Sequence, residues 1–442
     1  MTQDLCELSA VQAVEQIRNG IITSQALVSA CLTRIADTDD VIKAWTWIDP
    51  DYALVQAKEA DHLSQAGYAT GPLHGVPVGL KDIIDTKDMP TQCGSPILKN
   101  HQPATDARLV EQLRKAGAVI MGKTATTEFA FMHPSETTNP HDASRSPAGS
   151  SSGSAAAVAA RQVPLAVGTQ TGGSVIRPAS FCGVYGMKPS RGLVSRTGVF
   201  RTSRSLDHVG GFANSVEDVS LLIDALGCYD PSDPDSFAHS RPNLLNGVDD
   251  EAALVPNIAW FDLPFHDRLD DDASAGFDQL IDALGPRVKR ISNVPQVANL
   301  IDVHKTIYDY ELAQNMNDMA ATHGPHLSEE MHAAIQRSTA IGQDQYEDAI
   351  ALKENANAFF QGHFGNYDAI LAPSAVGEAL PLSAGSTGES VFCTIWTLAG
   401  LPALTLPLLI GDNNLPIGVQ LIGAAGQDDQ LMRTATWIEN TL

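Results

Sequence analysis

Two turns rich in serine and glycine, GSSSGS at 149–154 and TQTGGS at 169–174, enclose the small apolar runs AAAVAA and VPLAV. A flexible Gly/Ser linker would stay polar throughout, whereas these runs call for burial. The glycines therefore read as backbone that must approach something closely, and the serines as held hydroxyls rather than solvated ones. Two familiar motifs lie nearby and neither fits. GAVIMGKT at 117–124 satisfies the P-loop pattern, but its middle positions, Ala118, Val119, Ile120 and Met121, form an apolar strand instead of a phosphate-cradling loop. GSSSG at 149–153 satisfies G-x-S-x-G with Ser151 at its centre, yet the preceding SETTNPHDASRSPA is loop where a nucleophile elbow needs a strand.

A third constellation joins Lys81, at the end of the apolar GVPVGL, with Ser150 and Ser174. Around these residues the chain resembles the amidase signature family. The supporting segments are GPLHGVPVGLKDIIDT at 71–86, AGAVIMGKTATTEFAF at 116–131, PAGSSSGSAAAVAA at 147–160, GTQTGGSVIRPASFCGVYGMKPS at 168–190, SLDHVG at 205–210 and LPIGVQLIG at 415–423. The resemblance implies an α/β fold with a central mixed sheet flanked by helices on both faces, plus a helical insertion. It also implies a triad of Lys81, a cis-peptide Ser150 and a nucleophilic Ser174, with the two serines 24 residues apart as in the family. Gln170 stands where many members carry Asp, and Arg177 falls three residues after Ser174 where many carry it two after. A subgroup similar to malonamidase and to some aryl acylamidases and carbamate amidases shares both features, and by that likeness Arg177 would pair with a substrate carboxylate.

The chemistry suits these residue types. A serine hydroxyl is a poor nucleophile until a base takes its proton. Lysine is such a base only when neutral, which at pH 7 needs a shift of roughly 3 pH units, about 4–5 kcal/mol, and burial can supply it. The VPVGLKDIID context is apolar on both sides, and Ser150 would relay the proton between Ser174 and Lys81. Acyl transfer also develops an oxyanion, for which Thr171, Gly172, Gly173 and Ser174 can present successive backbone amides, the first three being the expected oxyanion donors. Phe131 and Met132 fall where family members line the acyl site, and PSAVGEALPLSAGSTGESVF near 373–395 contributes a loop there; core packing would explain both equally well. Cys182 reads as a buried structural thiol.

The elements that must position these groups alternate between helix and short apolar strand. Residues 8–36 read as two amphipathic helices, with Ser24 as a cap for the second. AWTWID at 44–49 alternates like a strand, 52–66 returns to helix, GVPVGL at 75–80 is a strand, and TDARLVEQLRKAG at 105–117 is a helix feeding the strand AVIMG. This pattern predicts an α/β sheet buried on both faces. SVEDVSLLIDALG at 215–227 is a capped helix closed by Gly227, and 229–252 reads as an exposed loop. Residues 296–363 are mostly helical, DAILAPSA at 368–375 is a strand, and 401–423 form a closing hairpin. The expectation is one domain over 1–442, with a variable, mostly helical segment at 229–365 as an insertion in the α/β core or a lid over it.

Composition bounds the function. The chain has 442 residues and a net charge of −24, which argues against nucleic acid and anionic membranes as partners. Six dispersed cysteines without a C-x-x-C pair suggest reduced thiols in a cytoplasmic protein. No signal peptide or membrane span is read, and the 13 histidines form no metal motif. The resulting expectation is a cofactor-free and metal-free amidohydrolase that cleaves C–N bonds of small amides, anilides or carbamates (urethanes) through an acyl-enzyme. The sequence leaves a homodimer open. The alternative is an amidotransferase-type subunit that supplies ammonia within a larger complex.

Overall fold

A computed structural model describes residues 4–238, 240–249, 255–292 and 294–442. Eleven strands form one mixed sheet: β1 (Trp45–Ile48), β2 (Pro77–Lys81), β3 (Val119–Thr124), β4 (Leu165–Gln170), β5 (Tyr185–Lys188), β6 (His208–Ala213), β7 (Ile258–Phe261), β8 (Val288–Ile291), β9 (Ala369–Pro373), β10 (Ala403–Ile410) and β11 (Pro416–Ile422). Their order is β1-β3-β2-β4-β6-β5-β10-β11-β9-β7-β8. The β3-β2-β4 and β9-β7-β8 groups are parallel, and the pairs between them are antiparallel. Every residue of β2, β3 and β4 is buried, as expected of parallel strands covered on both faces.

The largest apolar cluster joins these strands to the early helices, among them Ala10–Arg18, Ser24–Ile42 and Val216–Leu226. A second cluster packs the helices Leu300–His323, Gln343–Gln361 and Val391–Leu398 around Phe261, Phe360 and Trp396. The Ser/Gly turns meet the sheet through close backbone contact. A Cβ on Gly153 would lie 2.2 Å from the Ala44 carbonyl oxygen, and one on Gly168 would lie 2.7 Å from Ser151 Oγ. Only glycine permits either approach.

Several local expectations change. Thr23, not Ser24, caps the helix Ser24–Ile42, its hydroxyl accepting from the Ala26 amide; the Ser24 hydroxyl is buried and donates to the Gly75 carbonyl at 2.7 Å. The stretch 229–252 is not wholly exposed loop, though 239 and 250–252 lie outside the described residues. Asp230 accepts from Ser195 Oγ at 2.6 Å, Asp233 pairs with Arg196 at 2.6 Å, and Leu244–Asp249 is helical. The segment 229–365 contributes β7 and β8 to the sheet as well as helices. After the closing hairpin, Asp428–Thr441 adds a last helix.

Candidate active site

Strand β2 delivers Lys81 into the middle of the sheet, where it is 0% exposed. Its Nζ donates to Ser150 Oγ at 2.7 Å and to Thr169 Oγ1 at 2.8 Å. Among the described residues no carboxylate pairs with it directly. Burial pushes its pKa down from 10.5 to about 7, and the more distant charge of Asp207 pulls weakly the other way. The ε-amine is thus poised to be neutral near physiological pH. Ser150 is 2% exposed, and its peptide bond with Gly149 is cis. Its neighbours are tied down as well: Ser151 Oγ donates to the Thr169 carbonyl, and Ser152 Oγ donates to the Ala148 carbonyl at 2.8 Å.

Ser174 lies in the loop that follows β4, half-buried, five residues beyond the Thr169 that touches Lys81. That loop is held from several sides. The Thr171 hydroxyl donates to Asp207 at 2.6 Å, and the Thr171 carbonyl accepts from His304 Nε2 at 2.8 Å. The Gly172 carbonyl accepts from Thr397 Oγ1 at 2.7 Å, and the Gly173 carbonyl from the Arg177 amide at 2.9 Å. Gln170 Oε1 accepts from the amides of Val175 and Ile176, while its Nε2 donates to Thr397 Oγ1. Among the described residues, the amides of Thr171, Gly172, Gly173 and Ser174 find no acceptor. Four consecutive unpaired N–H groups, one of them the serine's own, can offer donors to an anionic oxygen.

Arg177 is 5% exposed, with its guanidinium donating to the Gly149 carbonyl at 2.8 Å and to Thr387 Oγ1 at 3.2 Å. Burial lowers its pKa to about 10, and its Nε has no partner among the described residues. The side chain is thus built into the wall behind Ser150. Phe131 is buried, and its ring meets Tyr308 edge-on at 5.6 Å. Met132 is 46% exposed. Cys182 is buried with its thiol pKa pushed up, and all six cysteines are free. The P-loop look-alike is strand, as its apolar pattern predicts: Lys123 is buried in β3 and donates to Thr91 Oγ1 at 2.8 Å.

A cavity of about 280 Å³ lies on the lysine side of the site, its wall including Ile83, Thr169, Phe200, Thr202 and Asp207. No group of three or more His, Cys, Asp or Glu among the described residues is arranged to hold a metal ion. Likewise no described helix is long and apolar enough to cross a membrane. The sequence pattern did not single out Thr169, Asp207, His304 or Thr397. Thr169 and Asp207 sit inside the quoted segments, whereas His304 is 133 residues from the carbonyl it holds and no local spacing marks it.

Compared with known proteins, residues 26–432 match the family model described as Amidase. Two curated relatives, both named for one and the same subunit of glutamyl-tRNA(Gln) amidotransferase, span nearly the whole chain. That from Natranaerobius thermophilus is 32% identical, covering 99% of this chain and 96% of its own. That from Microcystis aeruginosa is 34% identical, covering 96% and 95%. Among solved structures, a chain from a vestigial protein complex bearing on the origins of an s-triazine catabolic enzyme superposes with a TM-score of 0.92 at 28% identity, covering 98% of both chains. The peptide amidase of Stenotrophomonas maltophilia superposes with a TM-score of 0.87 at 29% identity, covering 98% of this chain and 96% of that one.

Proposed function

The chain belongs to the amidase signature family, and from that premise we propose that it hydrolyses a small amide, anilide or carbamate with Ser174 as nucleophile, Ser150 as proton relay and Lys81 as base. Ser174 Oγ attacks the carbonyl carbon. Its proton passes to Ser150, whose own proton passes to the neutral Lys81 amine. The new oxyanion is met by backbone amides of the 171–174 loop. Collapse breaks the C–N bond, and the proton returns from Lys81 through Ser150 to the leaving nitrogen. Water then attacks the acyl-enzyme by the same relay and releases the acid; from a carbamate, carbon dioxide is lost as well.

The observation that carries this reading is the Lys81–Ser150 contact of 2.7 Å in a fully buried setting that brings the lysine pKa to about 7. An ordinary exposed lysine would stay charged and could not accept a proton. Arg177 binding a substrate carboxylate has less support, since its guanidinium is already engaged by Gly149 and Thr387.

The test is a panel of amides, anilides, esters and matched carbamates against purified enzyme, with Ser174→Ala as control. The variant should lose turnover while keeping its circular dichroism and melting temperature. Retained turnover would refute the assignment of Ser174. A nitroanilide set against its matching carbamate separates amidase from urethanase activity. The alternative, an ammonia-supplying subunit, is favoured by the names of the two curated relatives and disfavoured by the net charge of −24. Gel filtration with a stand-alone assay distinguishes them, because such a subunit would be inert alone.

A further inference from the structure

We infer that His304, from a helix distant in sequence, is a positioning residue that aims the Gly172 amide at the developing oxyanion. The inference rests on the reading of Ser174 as nucleophile. In a trans peptide the C=O and N–H point to opposite sides of one rigid plane. Fixing a carbonyl therefore fixes the direction of the next residue's amide. The Thr171 carbonyl and the Gly172 N–H share one such plane, and His304 Nε2 holds that carbonyl at 2.8 Å. The Gly172 carbonyl and the Gly173 N–H share the next plane, held by Thr397 at 2.7 Å. The amides on the opposite side are those left without an acceptor among the described residues.

Without these two donors, glycines at 172 and 173 would let both planes rotate. A loop free to flip a peptide could fill its cradle with carbonyls, which repel an oxyanion. The two clamps differ in kind. Thr397 sits on Val391–Leu398, which packs directly against the loop, and its hydroxyl has a second acceptor in the Cys393 carbonyl at 3.1 Å. The His304 imidazole has a single hydrogen-bond partner among the described residues, the Thr171 carbonyl. Burial keeps the ring neutral, with a pKa of about 4. One nitrogen carries the proton, and the carbonyl selects Nε2 for it. Tyr308, one turn along the same helix, braces the imidazole edge-on at 5.7 Å and meets Phe131 at 5.6 Å. The segment that sequence suggested as a lid thus reaches the catalytic loop itself.

The experiment compares wild type, His304→Ala and His304→Gln. Glutamine places an amide N–H near the position of Nε2. Each is measured for kcat and KM on the best panel substrate, for the rate of covalent labelling by a fluorophosphonate, and for melting temperature. Labelling requires Ser174 and the oxyanion cradle but not an amide substrate. His304→Ala should lower kcat and the labelling rate together by about 10- to 100-fold, less than the loss expected on deleting an oxyanion donor outright, with KM within about twofold. His304→Gln should recover most of the loss. An alanine variant with unchanged kcat and labelling overturns the inference. So does a parallel loss of kcat, KM and melting temperature that glutamine does not repair, since that is the signature of a packing role. If wild type itself is not labelled while Ser174→Ala still turns over substrate, the nucleophile assignment fails first and the inference falls with it.

Discussion

At the scale of single residues the site is governed by one uncompensated amine. Lys81, at 0% exposure, has no ion partner within reach among the described residues, only two hydroxyls. Desolvation therefore outweighs the distant attraction of Asp207, and the pKa settles near 7. In the proposed mechanism Lys81 must be neutral to act, so kcat/KM should rise with pH through an apparent pKa near 7 and then level off. Thr169 is placed to tune that value. Its hydroxyl accepts from the amine, and such a bond favours the charged donor more than the neutral one. Thr169→Val should move the acidic limb of the profile to lower pH and reduce the plateau by about tenfold. A pH–rate series on both proteins checks this; a limb that moves up, or does not move, contradicts the place of Thr169 beside the base.

At the scale of elements, the loop that carries Ser174 is a short strand-to-helix connection in which side chains hold the carbonyls of Thr171 and Gly172 and the amides of Val175 and Ile176. Gln170 ends β4 and caps the first turn of the helix Ile176–Cys182 from outside it. Gln170→Met keeps the volume but leaves the Val175 and Ile176 amides without an acceptor, at about 1–3 kcal/mol for each buried group. The urea midpoint should fall accordingly, and kcat should fall at least tenfold because the adjoining glycine amides lose their frame. An unchanged midpoint would mean that solvent reaches those amides. Much of this arrangement was legible beforehand. The apolar flanks of Lys81 predict a buried strand, and small residues around the two serine turns predict close packing. Elements further along the chain were less legible. Strands β7 and β8 are four residues each, and Lys289 and Arg290 in β8 are exposed, so neither run carries a strong periodic signal. Asp230 and Asp233 resemble loop residues by composition, yet they are buried because Ser195 and Arg196 receive them. His304 and Thr397 act through backbone carbonyls more than a hundred residues away, and that kind of pairing leaves no spacing to detect.

At the scale of the whole molecule, this strongly acidic chain keeps three lysines in its interior. Lys81, Lys123 and Lys188 are each 0% exposed, and burial lowers their pKa values to about 7, 8 and 7. Lys123 has Asp82 at 3.7 Å; Lys81 has no such neighbour among the described residues, so its burial should cost stability when the amine is charged. For a lysine whose folded pKa lies below its unfolded value, the unfolded chain binds more protons between the two. The penalty is complete below about pH 7 and is relieved as pH rises toward 10.5. That gap corresponds to roughly 5 kcal/mol. Lys81→Met removes it but leaves two hydroxyls without their donor and Asp207 without its distant cation, so a net gain of about 2 kcal/mol is expected at pH 6. The gain should shrink steadily between pH 7 and 10. A buried thiol such as Cys182, whose pKa burial raises, erodes stability above about pH 9 in both proteins and cancels in the difference. Urea midpoints for the two proteins across this range provide the measurement. A difference between the two proteins that does not change between pH 7 and 10 would mean that Lys81 carries no desolvation penalty and has no cause to be neutral.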